Sequence, residues 1–367
     1  MLSHGREAAI KHVALSVLVV AAFVISACSP AATTPSASGT ATGSGAASAS
    51  KKVTKIGIIT SEKANDFGYN QQGVDSAKAV ATKRGLAIDV ADGSGYPDIT
   101  PIIQQLVGGG ANFIIAHASG YSTVAARVAK QLKVPVLVTT NPEANVPGLV
   151  GDVETSAQSG AYPAGVMAAR MTKTQTVAVA MSASNVNEYK EAGGFVAGVR
   201  SVSKTIKINI TNIGEAAFGD VAGGKRVTQS AIAAGADVIF GLGDGSSFGM
   251  LDAVETTAPP PGADKVWFID KIGDKTSLDT KGVYLSSVLR DYSGVFDEAV
   301  AAIEAGTYGR SVYFLTVGNA GISLLKTKWI PDAVWTEIQK IQAGIADGSV
   351  KVPETSTQSQ LDALLKQ

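Results

Sequence analysis

Short apolar runs rich in valine and isoleucine alternate with alanine-rich stretches along most of the chain. Three of the apolar runs cover 55–60, 113–117 and 134–139. In the stretch after the first run, apolar residues such as Val74 and Ala77 recur at helical spacing. Apolar strands that are separated by helices form βαβ units, whose parallel sheet is buried on both faces. The alternation therefore predicts an α/β fold.

The same alternation begins a second time in the middle of the chain. A predicted helix at 157–171 leads into a strand at 176–181, and more helix–strand pairs follow up to a last helix at about 332–346. Two successive α/β units of similar size indicate two Rossmann-like lobes. The predicted boundaries are 53–152 plus about 271–306 for lobe 1, 153–270 plus about 307–350 for lobe 2, and 351–367 for a C-terminal tail.

The N-terminal region differs from the rest in composition. Arg6 and Lys11 precede an uncharged stretch that ends in small residues immediately before Cys28. This layout is typical of a secretory signal, and the stretch is shorter than the ~20 apolar residues of a membrane-spanning helix. We predict a lipoprotein signal peptide over 1–27 and a lipidated Cys28 at the start of a flexible Ser/Ala/Thr/Gly tether over 28–52. An ordinary signal peptide or an N-terminal anchor is the alternative.

Composition excludes several classes of protein. The 31 basic and 31 acidic side chains balance, so no basic excess supports binding of nucleic acid. Cys28 is the single cysteine, and two of the three histidines, His4 and His12, lie in the predicted signal. This argues against disulfides, cysteine-bound zinc and enzymes that need several histidines. We predict a monomer that is not an enzyme and uses no cofactor or metal.

Two segments fit catalytic motifs only in part. Residues 219–225 match the start of a phosphate-binding loop, but Arg226 stands where a serine or threonine would bind magnesium. Residues 245–249 match the nucleophile elbow around Ser247, but no histidine follows that serine in the chain. A surface loop and a Gly/Ser helix start explain the two segments better. A surface hydrolase that uses Ser247 is the enzymatic alternative.

Polar and aromatic side chains follow several predicted strands, at the carboxyl ends where open α/β sheets bind ligands. In a bilobed protein these ends converge on one cleft. The candidate ligand-binding residues are Asn65, Asp66, Tyr69, Asn70, Ser119, Tyr121, Phe218, Gly241, Gly243, Asp270 and Arg290.

These segments, in their order along the chain, resemble the basic membrane protein family of lipoproteins. The resemblance covers about residues 53–350, and its matching pieces are 65–71, 194–199, 218–225, 235–240, 268–270, 286–290 and the glycine-rich 318–324. It implies a type I periplasmic-binding-protein-like fold, in which two lobes close about a hinge. It also implies an extracytoplasmic solute-binding protein, anchored to the cell membrane by lipid, whose partners are the permease subunits of an ABC importer.

The resemblance further implies a ligand and a set of contacts. In members that bind nucleosides, two aromatic side chains sandwich the base, and the matching residues here are Tyr69 and Phe218. A carboxylate beside the first aromatic contacts the base, which matches Asp66, with Asn65 or Asn70 as helpers. The ribose hydroxyls are held by residues that match Asp270 and Arg290. Gly241 and Gly243 match glycines that let the backbone approach the ligand.

Some residues depart from the family pattern. Tyr69 replaces a usual phenylalanine, Arg290 replaces a lysine, and Ile272 stands where many members have a second aspartate. The segment that contains Ser119 and Tyr121 also differs from the usual strand end. These departures leave the ligand open, so a sugar or another small metabolite is the alternative, as is a sensor component that presents ligand to a membrane receptor.

Each candidate also has a structural explanation. Tyr69 and Phe218 could belong to the core, and Asp66 could be only an N-cap. Asp270 and Arg290 could form an ion pair with each other. His117 is better explained as a packed histidine at a strand end than as a ligand contact.

Overall fold

The computed structural model describes residues 52–215 and 217–367, which contain two six-stranded sheets with helices on both faces. The predicted signal peptide, Cys28 and nearly all of the predicted tether lie outside the described residues. Among the described residues, the helices are too short or too polar to span a bilayer.

The first sheet is entirely parallel and has the strand order β11-β5-β4-β3-β1-β2. Its strands are β1 (Lys55–Thr60), β2 (Ala87–Ala91), β3 (Phe113–His117), β4 (Val136–Thr139), β5 (Val150–Thr155) and β11 (Tyr313–Leu315). β1 and β3 are buried almost throughout because helices cover both faces of the sheet.

The second sheet repeats this arrangement in the order β12-β10-β9-β8-β6-β7, and only the edge strand β12 is antiparallel. Its strands are β6 (Thr176–Met181), β7 (Lys207–Asn212), β8 (Val238–Leu242), β9 (Trp267–Asp270), β10 (Tyr284–Arg290) and β12 (Ile322–Leu324). Each sheet is the centre of one lobe.

Within residues 52–215 and 217–367, four helices pack on the first lobe and six on the second. The first set is α1 (Tyr69–Arg84), α2 (Thr100–Gly108), α3 (Ser122–Leu132) and α8 (Ser293–Ala305). The second set is α4 (Ala157–Met171), α5 (Val186–Val202), α6 (Val221–Ala233), α7 (Ser246–Thr256), α9 (Asp332–Ala346) and α10 (Gln358–Leu365). The helices α1, α5 and α7 begin beside the carboxyl ends of strands, so their first turns lie next to the cleft.

The prediction of two Rossmann-like α/β lobes is confirmed, and the predicted strands and helices match the observed ones to within a few residues. The chain crosses between the lobes three times, after β5, after β10 and between β11 and β12. These three crossings form the hinge region.

The predicted lobe boundaries were wrong in detail. Segment 271–306 was assigned to lobe 1, but β10 lies within it and pairs in parallel with β9 at the centre of the second sheet. Segment 307–350 was assigned to lobe 2, but β11 lies within it and pairs with β5 at the edge of the first sheet. The boundary after residue 152 falls inside β5. The segment 351–367 is not a simple tail, because α10 packs on α5.

Candidate ligand-binding cleft

A cavity of about 370 Å³ lies where the carboxyl ends of the two sheets face each other. The first lobe lines it with Ser61, Glu62, Tyr69, Tyr96, Ala118, Ser119, Thr139, Thr140, Val153 and Thr155. The second lobe lines it with Asn185, Val186, Asn187, Glu188, Glu191, Phe218, Asp244, Lys271 and Ile272. The last residue of β10, Arg290, and the crossing that follows it, with Tyr292, complete the lining. This volume suits a small organic molecule held between two lobes.

Tyr69 forms an aromatic wall that is supported from behind by His117. The two rings are stacked with their centroids 4.0 Å apart and an interplanar angle of 11°. The Nε2 atom of His117 lies 3.0 Å from the backbone carbonyl of Tyr69 and donates to it. Burial lowers the pKa of His117 to about 4, so the imidazole is neutral at physiological pH. His117 is therefore a packed strand-end histidine, and Gly73 leaves room for its ring.

Tyr292 fixes the orientation of this pair from the side. Its ring meets the rings of both Tyr69 and His117 edge-on, at interplanar angles of 86°. Edge-to-face contacts of this kind are favourable because the positive edge of one ring meets the negative face of another. The Tyr69 ring is thus held in place before any ligand binds.

Phe218 supplies an aromatic wall from the second lobe, in the loop that precedes α6. The side chain of Asp220 caps that helix by accepting from the Gly223 backbone N–H at 2.8 Å. The Nζ atom of Lys271 lies 5.6 Å from the centroid of the Phe218 ring, close enough for a cation–π contact. An aromatic ring from each lobe therefore borders the same cavity.

Beside Phe218, four charged side chains form a buried network in the second lobe. Lys271 contacts Glu188, Arg290 contacts Glu191, and the Lys271 Nζ atom lies 3.5 Å from Glu191 Oε2. The Glu188 and Glu191 side chains are 1% and 3% exposed, and the two cations are 10% exposed. The charges alternate in sign, so the network as a whole is neutral when both glutamates are ionised.

The pKa values in this network are shifted by burial and by the opposite charges. Burial raises the pKa of Glu188 to about 7, although Lys271 opposes the shift. Burial works against the charged forms of Lys271 and Arg290. The neighbouring carboxylates nevertheless raise the pKa of both, so both cations remain charged.

Three carboxylates from the two lobes meet at another side of the cleft. Oxygen atoms of Glu62, Asp66 and Asp244 lie within 4.8 Å of one another. Burial, followed by the charges of Asp66 and Glu62, raises the pKa of Asp244 to about 6, and Lys271 and Lys275 oppose this shift. Burial and then Asp66 also raise the pKa of Glu62.

Of the eleven predicted site residues, Tyr69, Ser119, Phe218 and Arg290 line the cavity. The Asp66 carboxylate instead accepts hydrogen bonds from the backbone N–H groups of Gly68, Asn70 and Gln71, and so caps the start of α1.

Three more predicted residues lie in or near the loops of the first lobe. Asn70 is buried, where it donates to Asp66 and accepts from the Glu62 backbone at 3.3 Å. Asn65 is exposed outside the cavity. The Tyr121 hydroxyl donates to the Gly95 carbonyl.

The remaining three predicted residues lie in the core of the second lobe. Gly241 belongs to β8 and packs against Phe268, and Gly243 packs against the start of α7. Asp270 and Lys275 are both 0% exposed and form an ion pair at 2.7 Å. Asp270 also accepts from the Ser247 hydroxyl at 2.9 Å, which commits the serine of the nucleophile-elbow motif to a structural bond. Asp270 and Arg290 therefore pair with other residues, not with each other.

The cavity also contains residues that the sequence analysis did not single out. Glu188 and Glu191 lie about one helical turn apart at the start of α5. Their position soon after the Asn185 helix cap was a signal that the sequence contained. Asp244 lies two residues after the end of β8 and fits the strand-end rule that selected the other candidates. Glu62 follows β1 in the same way.

A family model described as ABC transporter substrate-binding protein PnrA-like matches residues 53–356. The chain belongs to this family. Its members are substrate-binding proteins of ABC transporters. They are binding proteins and not enzymes.

Two named relatives share parts of this sequence. The ABC transporter nucleoside-binding protein BmpA of Lactococcus lactis is 29% identical over 208 residues, which are 53% of this chain and 57% of that protein. The match thus spans little more than half of the relative. Basic membrane protein A2 of Borrelia garinii is 23% identical over 319 residues, or 84% of this chain and 91% of that protein.

A solved structure shares the fold. An ABC transporter solute-binding protein from Conexibacter woesei superimposes with a TM-score of 0.67 at 20% identity, covering 82% of this chain and 99% of the other. This likeness confirms the expected periplasmic-binding-protein-like architecture.

Proposed function

We propose that this protein is the lipid-anchored, extracytoplasmic solute-binding component of an ABC importer, and that it binds a nucleoside or nucleobase-like molecule. The observation that carries the proposal is that Tyr69 and Phe218, from opposite lobes, line one cavity of about 370 Å³. Two aromatic rings on either side of a cleft suit a flat, apolar ring system, and closure of the lobes would enclose it.

The polar part of the cavity supports an uncharged ligand. Glu62, Glu188, Glu191 and Asp244 outnumber Lys271 and Arg290, so a free phosphate would meet mostly like charge. Stacking contributes roughly 0.5–1.5 kcal/mol per aromatic contact, and each hydrogen bond to a charged group about 1.5–3 kcal/mol. After association costs of ~4 kcal/mol or more, micromolar affinity, about −8 kcal/mol, is reachable.

The alternative ligand is a sugar without a base. The buried charged network favours it, because carboxylates and cations side by side suit groups that both donate and accept hydrogen bonds. A nucleoside satisfies the network and the aromatic walls together, whereas a free sugar leaves Tyr69 or Phe218 without a flat partner.

The test is a thermal-shift panel of nucleosides, nucleobases and pentoses on the purified protein, together with the ultraviolet spectrum and mass of any molecule released on denaturation. We expect nucleosides to raise Tm, with a stabilisation on the order of 1–4 kcal/mol at saturating ligand. We also expect the released molecule to absorb near 260 nm, as purines and pyrimidines do. A shift with a pentose and with no nucleoside or base would overturn the proposal.

The lipid anchor is a separate part of the proposal and rests on Cys28 at the end of the predicted signal. We expect the expressed full chain to partition with membranes and the Cys28→Ser variant to appear in the soluble fraction. Equal partitioning of the two proteins would contradict lipidation at this position.

A further inference from the structure

The buried wall formed by Glu188, Glu191, Lys271 and Arg290 has unused hydrogen-bonding capacity. The Oε2 atoms of Glu188 and Glu191 and the Nε atom of Arg290 are buried and have no hydrogen-bond partner among the described residues. Leaving a buried polar atom without a partner costs about 1–3 kcal/mol. Three such atoms in one network that lines a cavity therefore indicate a group that binds there.

The chemistry of the wall restricts what this group can be. Two acceptors and one donor are left over, and the four side chains carry two charges of each sign. A phosphate or carboxylate would meet the two carboxylates, and an ammonium would meet the two cations, so an ionic group gains little overall. A hydroxyl group both donates and accepts, which matches the left-over atoms.

The spacing of the acceptors indicates two adjacent hydroxyls. Glu188 and Glu191 are three residues apart on α5, so their side chains are neighbours on one face of the helix. Lys271 lies between them, because its Nζ atom contacts Glu188 and lies 3.5 Å from Glu191. A pair of hydroxyls on adjacent carbons can donate one hydrogen bond to each carboxylate.

The position of the charged network places this pair of hydroxyls beside the aromatic walls of the cavity. Lys271 contacts the face of Phe218, and Arg290 is the last residue of β10, two positions before Tyr292, which packs edge-on against Tyr69. Asp270 cannot take this role, because its side chain is fully buried with Lys275 and Ser247 and does not line the cavity. In the cleft, Arg290 pairs with Glu191, and Glu188 pairs with Lys271.

We propose that Glu188 and Glu191, held by Lys271 and Arg290, form a subsite for a vicinal diol, such as the 2′- and 3′-hydroxyls of a ribonucleoside. This inference rests on the proposed function for the identity of the ring that stacks between Tyr69 and Phe218. The assignment of the diol subsite to α5 comes from the contacts of the charged network itself. The glutamates accept from the two hydroxyls, and Arg290 donates to one of them.

The first test compares four ligands on the unaltered protein by calorimetric titration: adenosine, 2′-deoxyadenosine, 2′,3′-dideoxyadenosine and adenine, with the guanosine series in parallel. A hydrogen bond to a charged group corresponds to roughly a tenfold change in Kd or more. We expect a loss of that size for each hydroxyl removed, and similar Kd values for the dideoxynucleoside and the base. Equal affinity for the nucleoside and its dideoxy form would overturn the diol subsite.

The second test uses Glu188→Gln and Glu191→Gln, which keep the shape of the side chain but remove its charge. We expect each variant to weaken adenosine binding about tenfold while the Kd of adenine changes by about twofold or less. The matched control is Glu143→Gln, an exposed change outside the cavity, which should leave both values unaltered. An equal loss for adenosine and adenine would contradict the inference.

The two proposals fail in different ways. If no nucleoside or base binds, the proposed function fails, and the diol subsite is then decided with D-ribose and 2-deoxy-D-ribose on the same proteins. A preference for D-ribose that disappears in Glu188→Gln and Glu191→Gln would support the subsite. Equal binding or no binding of the two sugars would overturn it.

Discussion

The Asp244 carboxylate of the second lobe accepts a hydrogen bond from the Tyr69 backbone N–H of the first lobe, at 3.3 Å. The bond crosses the cleft at the point where the chain begins α1, so it forms only when the lobes are closed. The same closure brings Asp244 towards Glu62 and Asp66. The contact that holds the lobes together therefore also brings like charges together.

Closure of the ligand-free protein should depend on pH. The pKa of Asp244 is about 6 in the closed arrangement, and its ordinary value is near 4, so the closed state binds the proton more tightly. Protonation of Asp244 then favours closure as the pH falls from about 6 towards 4, and it contributes nothing to closure above about pH 7. We expect small-angle X-ray scattering to show a smaller radius of gyration at pH 4.5 than at pH 7.5.

The Asp244→Asn variant tests the origin of that pH dependence. The amide oxygen can still accept from Tyr69, but the side chain no longer titrates, so most of the change in radius should disappear. Asp264→Asn, at an exposed loop position, should behave like the unaltered protein. A radius that is constant with pH in the unaltered protein would contradict the mechanism.

Gly273→Ala should prevent closure without unfolding either lobe. Gly273 has φ +79°, and a Cβ atom built on it would clash with the carbonyl oxygen of Phe67, on the opposite lobe. We expect ligand affinity to fall at least about fivefold, since a buried overlap of this kind costs roughly 1–3 kcal/mol. Titration with the ligand found in the thermal-shift panel provides the measurement.

Gly262→Ala is the matched control for this change. Gly262 also has a positive φ, of +94°, but no atom lies within 4 Å of a Cβ built there. Both variants should lose similar stability from backbone strain, about 1–2 kcal/mol, and only Gly273→Ala should lose affinity. An equal effect of the two on binding would show that strain, and not closure, is responsible.

Asp270 should contribute to the stability of the fold and not to the affinity for the ligand. Asp270→Asn leaves the fully buried Lys275 without its counter-charge, so we expect the free energy of unfolding to fall by about 3–5 kcal/mol in urea titrations. Replacing both residues by apolar ones of similar size, Asp270→Leu with Lys275→Met, should recover part of this loss. A weaker Kd for Asp270→Asn at unaltered stability would instead place Asp270 in the binding site.

Phe218→Leu should weaken binding of a flat ring while keeping an apolar side chain. The loss of stacking is worth roughly 0.5–1.5 kcal/mol, which corresponds to a Kd for a nucleobase that is about two- to twelvefold higher. Phe314→Leu serves as the control, because Phe314 is 53% exposed on β11 and does not line the cavity. Equal Kd values for the two variants would argue against a stacking role of Phe218.

The sequence predicted the elements well because buried parallel strands and amphipathic helices have strong local patterns. It predicted Tyr69, Phe218 and Arg290 on the cavity because they follow strands or begin helices at the carboxyl edge of a sheet. It did not predict how the chain crosses between the lobes. β10 and β11 are both short apolar runs, and only their pairing with β9 and β5 decides which sheet each one joins.

The site itself was harder to predict where side-chain partners decide the role. Asp66 and Asp270 follow strands as ligand-binding carboxylates do, yet one caps α1 and the other neutralises Lys275. The reverse holds for Glu188 and Glu191, which look like surface residues of a helix but are buried against Lys271 and Arg290. Burial and pairing of charges depend on contacts far apart in the chain, which a local pattern does not contain.

The three crossings between the lobes have a consequence for how the protein is made. The first sheet is completed by β11, and α1 is covered by α8, so both additions come from residues synthesised after most of the second sheet. The first lobe cannot finish folding while the chain is still emerging, since its edge strand and one of its helices arrive last. A chain that ends before residue 313 would leave β5 as an unpaired edge, prone to pair with another chain.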